Sequence, residues 1–238
     1  MPTGKRDTRC VRTYGQYCPI ARASEVLAER WTPIIVRDLL NGSTTFTELA
    51  EGAPGLSRTL LASRLRDLER VGVVTKSPVG KKFRYGLSEA GRGLAEVLLA
   101  MGKWGEQWME LAPQHLDAGV VLNSWVKMYL ALDHLPKRRV VVRFDIPEMT
   151  KKGNQLWVIF HGADSEVCRS DPGYEEDLVA TVQARALAEW HLGRIEWAEA
   201  LRTQRIQVEG PKTLAKALPT WNLRSGWSRV ELARRSGA

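Results

Sequence analysis

GLSRTLLASRLRDLERVGVVTKSPVGKKFRYGL, residues Gly55–Leu87, reads as a capped helix, a glycine stop and a basic hairpin. Ser57 is placed to cap, because its hydroxyl can accept a backbone N–H from the first turn. Leu61, Leu65 and Leu68 recur at helical spacing, with Leu60 beside them, and make one apolar face. Arg58, Thr59, Ser63 and Arg66 fall off that face. Gly72 ends the helix at the position where a left-handed residue is favoured. Val73, Val74 and Thr75 start a strand, Pro78 and Gly80 mark a turn, and Lys81 to Leu87 return as a second strand. Nine Lys/Arg stand against three Asp/Glu between Leu56 and Arg92. A major groove admits such a helix, and phosphates attract such a hairpin.

The whole chain of 238 residues carries a net charge of +8, and 44% of it is hydrophobic. That is enough apolar material for one large domain or two ordinary ones. The basic balance favours a polyanionic partner. The local excess of six around the hairpin is twice the excess of three carried by residues 113–238, which hold 18 Lys/Arg and 15 Asp/Glu. No apolar run approaches the length needed to span a bilayer, and the N-terminus is polar, so a cytoplasmic, nucleoid-associated protein with no membrane partner is expected. Cys10, Cys18 and Cys168 are too few and too scattered for a disulfide framework or a zinc site. Cys10, among Lys5, Arg6, Arg9 and Arg12, is a candidate redox cysteine, since neighbouring cations favour a thiolate. No cofactor or metal is expected.

In chain order, residues 1–17 form a basic arm. Cys18-Pro19 opens a helix with an apolar stripe of Ile20, Ala23, Leu27 and Trp31. Pro33 begins the next helix, closed by Asn41-Gly42. Thr45-x-x-Glu48 is a capping box for a short helix. A short helix, a tight turn and the Ser57 helix make a helix-turn-helix, and the hairpin makes it winged. After Ser88 a long helix carries Leu94, Val97, Leu98, Met101, Trp104, Trp108 and Leu111 on one stripe. With the Cys18 helix it forms the expected seam of a homodimer, because groove readers pair on repeated half-sites.

Residues 18–108 closely resemble the HxlR-type winged helix-turn-helix regulators, a branch related to the MarR group. The likeness is carried by Cys18-Pro19, Glu29-Arg30-Trp31-Thr32, Leu39-Leu40, Phe46-x-Glu48-Leu49 and Pro54-Gly55-Leu56-Ser57. It continues through Arg64-Leu65-x-x-Leu68-Glu69-x-x-Gly72-Val73-Val74 and Tyr85-x-Leu87-Ser88-x-x-Gly91. The resemblance implies a dimeric transcription factor whose recognition helix is Ser57–Val71 and whose wing is Thr75–Tyr85. Some members sense electrophiles through a cysteine near the Cys18 position, which makes Cys18 the other redox candidate. The candidate DNA-binding residues are Ser57, Arg58, Thr59, Ser63 and Arg66 on the helix, with Lys81, Lys82 and Arg84 on the wing. Arginine can read guanine, whereas wing lysines meet phosphate. Arg64 flanks the leucine face and is expected to pair with an acid such as Glu48 or Glu69.

Pro113 ends the first domain, 18–112, and residues 113–238 read as a separate α+β domain. A helix is expected from His115 to His134, then strands at Arg139–Ile146 and Gln155–His161 around Lys151-Lys152-Gly153-Asn154. A third strand is expected at Glu166–Ser170, and a helix from Tyr174 through Leu178, Val182, Leu187 and Trp190. A short helix over 193–202, a strand over Arg205–Gly210 and a helix over Pro211–Leu218 complete it. Asp171 and Glu175–Asp177 look like the acidic start of a helix. The segment Leu178–Trp221 resembles the sterol carrier protein type-two fold through Gly193-Arg194-Ile195, Ala198-Glu199-Ala200-Leu201, Arg205–Gly210 and Leu214-Ala215-x-Ala217-Leu218. That likeness implies helices over a mixed sheet and an apolar tunnel. Trp125, Met128, Tyr129, Trp157, Trp190 and Trp197 are the candidate ligand-binding residues, since aromatic walls suit an apolar ligand. His134, His161 and His191 share no metal-ligand spacing.

No G-x-S-x-G, P-loop or H-E-x-x-H pattern is present, so an enzyme is not expected. The chain reads as a regulator that binds a palindromic operator in double-stranded DNA as a dimer and senses a hydrophobic small-molecule effector through its second domain. Two alternatives are a thiol-redox regulator with a structural second domain, and a hydrophobic-ligand carrier whose winged half only dimerises.

Overall fold

The computed structural model describes residues 13–80, 82–149 and 154–229. Four helices come first: α1 (Pro19–Leu27), α2 (Thr32–Leu40), α3 (Phe46–Gly52) and α4 (Arg58–Arg70). Local signals place them. The Thr45 hydroxyl accepts the Glu48 N–H at 3.2 Å while the Glu48 carboxylate accepts the Thr45 N–H at 2.9 Å, a reciprocal cap on α3. The Ser57 hydroxyl accepts the Leu60 N–H at 3.2 Å and starts α4. Gly72, at φ 76°, ends α4: its N–H reaches the Glu69 carbonyl and the Val73 N–H reaches that of Leu68. Those two bonds satisfy carbonyls that a helix end otherwise leaves open.

The hairpin of β1 (Val74–Val79) and β2 (Lys82–Leu87) follows, antiparallel, with Val74 opposite Leu87 and Pro78 opposite Phe83. Leu61, Leu65 and Leu68 are buried with Ile35, Val36, Leu49 and Val74. The capping oxygen of Ser88 then opens α5 (Glu89–Trp108), accepting the Gly91 N–H at 3.0 Å. Gly91 is buried because α5 crosses close to the Val73 carbonyl; a Cβ there would collide with that oxygen. The chain divides into two compact units between Leu99 and Ala100, inside α5.

In the second unit a 3-10 turn at Pro113–His115 leads to α6 (Ala118–Met128), whose first amides are capped by the Asp117 carboxylate. The continuous helix expected over His115–His134 is therefore three pieces, the last a 3-10 turn at Leu132–His134. At its end the backbone leaves the helix because Leu130 bridges Asn222 and the Ala131 N–H bonds the Trp221 carbonyl. Those partners lie far away in sequence. Strands β3 (Val140–Asp145), β4 (Gln155–Phe160), β5 (Glu166–Cys168), β6 (Leu178–Val182) and β7 (Ile206–Glu209) form one mixed sheet, ordered β5-β4-β3-β6-β7, with β3 and β6 parallel.

The helix expected from Tyr174 is partly wrong: Leu178–Val182 is strand β6, and only α7 (Ala184–His191) is helical. A spacing of four residues puts Leu178 and Val182 on one face in either period, so it does not discriminate. The acids before β6 start no helix. The Trp157 N–H and the Arg143 guanidinium hold the Glu176 carboxyl below its usual range. Asp177 accepts the Val141 N–H and pairs with Arg138 at 2.8 Å. Short helices α8 (Trp197–Arg202) and α9 (Lys212–Ala217) complete the unit.

His191, at the end of α7, is buried with Asn222. Asn222 Oδ1 accepts the Arg224 N–H at 2.7 Å, so its amide N–H faces His191 Nδ1 at 3.0 Å. That assigns the proton to Nε2, which donates to the Ser124 hydroxyl at 3.0 Å. Burial is the main cause that lowers the His191 pKa to about 4. The unfolded chain, with its histidine near pH 6.5, binds the proton first. Stability contributed by neutral His191 is thus full above pH 6.5 and is lost as the pH falls toward 4, by roughly 3 kcal/mol in all. Denaturant unfolding of the second unit between pH 7 and 4 is expected to show this loss, and His191→Gln should flatten it.

Candidate nucleic-acid interface

Three leucines decide which side of α4 faces outward. At about 100° per residue, Thr59, Ser63 and Arg66 lie opposite Leu61, Leu65 and Leu68, and Arg66 is exposed. Arg70 shares that side, paired with Asp67 at 3.1 Å. Ser57 has its oxygen committed to the helix start. Arg58 sits at the first turn with its guanidinium 4.9 Å from the Phe46 ring centroid, a cation–π contact that aims it across the α3–α4 turn.

Arg64 points away from the outward side. Its guanidinium meets Glu29 at 2.5 Å and Asp67 at 3.8 Å, so the structural role expected for it holds but the partners are not Glu48 or Glu69. Glu48 is spent on the α3 cap. Glu29 precedes Trp31, whose φ of 78° is a left-handed conformation that a bulky residue rarely adopts. The corner between α1 and α2 thereby delivers an acid to the flank of α4. Nothing local in the sequence joins positions 29 and 64.

On the wing, Lys82 is exposed and Arg84 donates to the Thr44 hydroxyl at 2.7 Å. Lys81 lies outside the described residues. The Tyr85 N–H bonds the Thr44 carbonyl at 2.7 Å, which ties β2 to the loop before α3. Burial lifts the Tyr85 phenol above its ordinary pKa, with Glu69 adding to it. Lys76, not singled out from the sequence, stands exposed on β1. The outward side of α4 and the wing thus carry cations with few competing acids. Such an arrangement suits a phosphate backbone flanking a groove.

The HxlR-like helix-turn-helix family matches residues 26–113. The chain is 36% identical over 106 residues to the HTH-type transcriptional regulator YvaP of Bacillus subtilis, covering 43% of this chain and 96% of that protein. The chain belongs to the HxlR-like helix-turn-helix family. A regulator from Synechocystis, sll1512, is 33% identical over 104 residues, covering 42% of this chain and 76% of that one. The reduced form of YodB from Bacillus subtilis superposes with a TM-score of 0.36 at 31% identity, over 41% of this chain and 99% of that one. The protein is an HxlR-family transcriptional regulator, and its relatives are named as regulators, not enzymes.

The HxlR-family match ends at residue 113, and the second unit holds the candidate ligand residues. Trp125, Trp190 and Trp197 are brought together: Trp125 lies 5.2 Å from Trp190, which lies 4.6 Å from Trp197, centroid to centroid. Phe160, which the sequence did not single out, and Trp221 extend the same cluster. All of these rings are buried and pack on one another as core. Tyr129 meets this region edge-on through His191. Trp157 stands on the opposite face of the sheet, by the alternation of a strand, and donates to Glu176 at 3.2 Å. Met128 is at the surface.

A groove of about 470 Å³ lies elsewhere, lined by Glu148, Gln183, Gln204, Arg205 and their neighbours, with no tryptophan. Among the described residues no cluster of three His, Cys, Asp or Glu could hold a metal, and no helix is long and apolar enough to cross a membrane. Cys18 is half-buried at the cap of α1, and Cys10 lies outside the described residues.

The Arg64–Glu29 pair separates structure from readout. Arg64→Ala should cost about 1.5 kcal/mol of stability, the worth of a charge-assisted bond. It should leave duplex affinity per folded molecule within about twofold. Thermal melts and gel shifts on the same preparation check both.

Proposed function

We propose that this HxlR-family regulator reads a palindromic operator as a homodimer, with Thr59, Ser63 and Arg66 at base edges and Lys82 and its wing neighbours at phosphate. The observation that carries the reading is the outward side of α4: a guanidinium with two small hydroxyls, set opposite a leucine face that holds the helix in place. Ser57, Arg58, Lys81 and Arg84 belong to the same proposed surface, with Arg58 and Arg84 also bracing the fold. A cytoplasmic, nucleoid-bound location follows from such a partner.

The dimer seam is proposed along α5 and α1. Val97, Met101, Trp104 and Trp108 fall on one stripe of α5, and each is about half exposed. Ile20 on α1 is 77% exposed. An apolar stripe of this kind costs solubility unless a partner covers it.

The second domain, 113–238, is proposed as the effector domain. Helices packed on one face of a mixed sheet support the likeness to a sterol carrier domain. The effector is then a hydrophobic molecule that binds the DNA-competent and incompetent states unequally, as any such switch requires. A thiol switch is the second reading: Cys18 is partly accessible and sits directly before the very helix placed in the seam.

A salt-titrated gel shift on the DNA upstream of the protein's own gene tests the operator claim. Wild type should retain one specific complex against competitor DNA. Arg66→Ala should weaken that complex by about 1–3 kcal/mol and relax its sequence preference, while Lys82→Ala weakens all duplexes and flattens the salt slope by about one. Equal loss on every sequence for Arg66→Ala would place Arg66 at phosphate instead. For the seam, Trp104→Glu should convert a dimer to a monomer by sedimentation; an unchanged mass would move the seam off α5.

A further inference from the structure

The wing ends in an unexpected surface. In the β1–β2 register Val74, Lys76 and Pro78 stand opposite Leu87, Tyr85 and Phe83, and alternation puts all six on one face. That face begins in the core: Val74 is buried, and Tyr85 and Leu87 pack against it. It ends in solvent, where Phe83 is 52% exposed. The ring is not idle. Lys76 Nζ lies 4.0 Å from its centroid, so an ammonium rests on the exposed aromatic. Pro78, directly opposite in the register, is rigid at φ.

From Val74 to Leu87 the sequence has four cations (Lys76, Lys81, Lys82 and Arg84) and no acid. A second copy of this wing would set like charges together, which is unfavourable. A partner that is both strongly anionic and able to accept a flat ring answers both features. Double-stranded DNA has phosphates on its rims and stacked bases within, and apolar side chains do enter its minor groove between base steps.

We propose that Phe83 is a minor-groove wedge. On binding, its ring slips partly between two base pairs, Lys76 passes from the ring to a neighbouring phosphate, and the duplex kinks away from the wing. The step that opens most readily is pyrimidine–purine. Specificity then comes in part from a flexible step under the wing and not only from bases under α4. This inference rests on the DNA-reading function above.

The test uses the full chain and a duplex of about 30 base pairs that wild-type protein selects from random sequence, end-labelled with a fluorescence donor and acceptor. Wild type should raise energy transfer by bending the duplex by about 20–90°. Phe83→Ala should still bind, within about tenfold, but leave the duplex near straight. Phe83→Leu, which keeps an apolar wedge, should restore much of the bend. A 2-aminopurine at the opened step should brighten with wild type and not with Phe83→Ala. Equal bending by wild type and Phe83→Ala, or a straight duplex in the wild-type complex, overturns the wedge. A dimer lost on Phe83→Ala in sedimentation also overturns it, since the ring would then belong to a contact between copies. If wild type selects no duplex at all, the DNA-reading function itself fails. Melting curves of the variants establish that each is folded.

Discussion

The orientation of α4 depends on burying Leu61, Leu65 and Leu68 together. Each buried leucine is worth about 1.5–3 kcal/mol. A roll of one residue in one direction would drive Arg66 and Glu69 toward the core. A roll in the other would drive in Arg64 and Asp67. Burying unpaired charges costs several kcal/mol apiece, so the helix has one stable setting. The Arg64–Glu29 pair then locks it from the flank. Every outward side chain inherits its direction from this constraint, and the wing, joined through Gly72, inherits its position.

Much of the first unit was legible because its signals are local. Ser57, Thr45, Glu48, Gly72 and Ser88 act within a few residues of themselves, and each does in the fold what its type and spacing imply. The partners of Arg64 and Arg84 were not legible. Glu29 and Thr44 lie 35 and 40 positions away, and only the folded chain brings them close. The second unit was harder for the same reason. Leu178 and Val182 satisfy a helix and a strand equally, and the neighbouring strands β3 and β7 decide between them. The helix after His115 stops where Trp221 and Asn222 claim its backbone. Sequence spacing has no access to such claims.

The tryptophans illustrate a further limit. Trp125, Trp157, Trp190 and Trp197 read from the sequence as walls of one apolar site, but residue type does not say which faces meet. Trp125, Trp190 and Trp197 converge because α6, α7 and α8 share one side of the sheet. Trp157 departs because it is an odd neighbour of Leu156 and Val158 on β4. A polar core element, His191 with Ser124 and Asn222, holds α6, α7 and the segment after Trp221 in register. Buried polar groups tolerate only one set of partners, so they specify an arrangement that packed rings alone would leave degenerate.

Thr44 is an ordinary surface threonine in the sequence. In the fold its carbonyl takes the Tyr85 N–H, its hydroxyl takes Arg84, and its own N–H reaches Glu48, the residue that caps α3. One short loop therefore welds the hairpin to the helices. The wing is not an interchangeable module. Transplanting it onto another scaffold would require carrying Thr44-Thr45-x-x-Glu48 with it, and a chimaera exchanging the hairpin alone would inherit the right charges on a loose hinge.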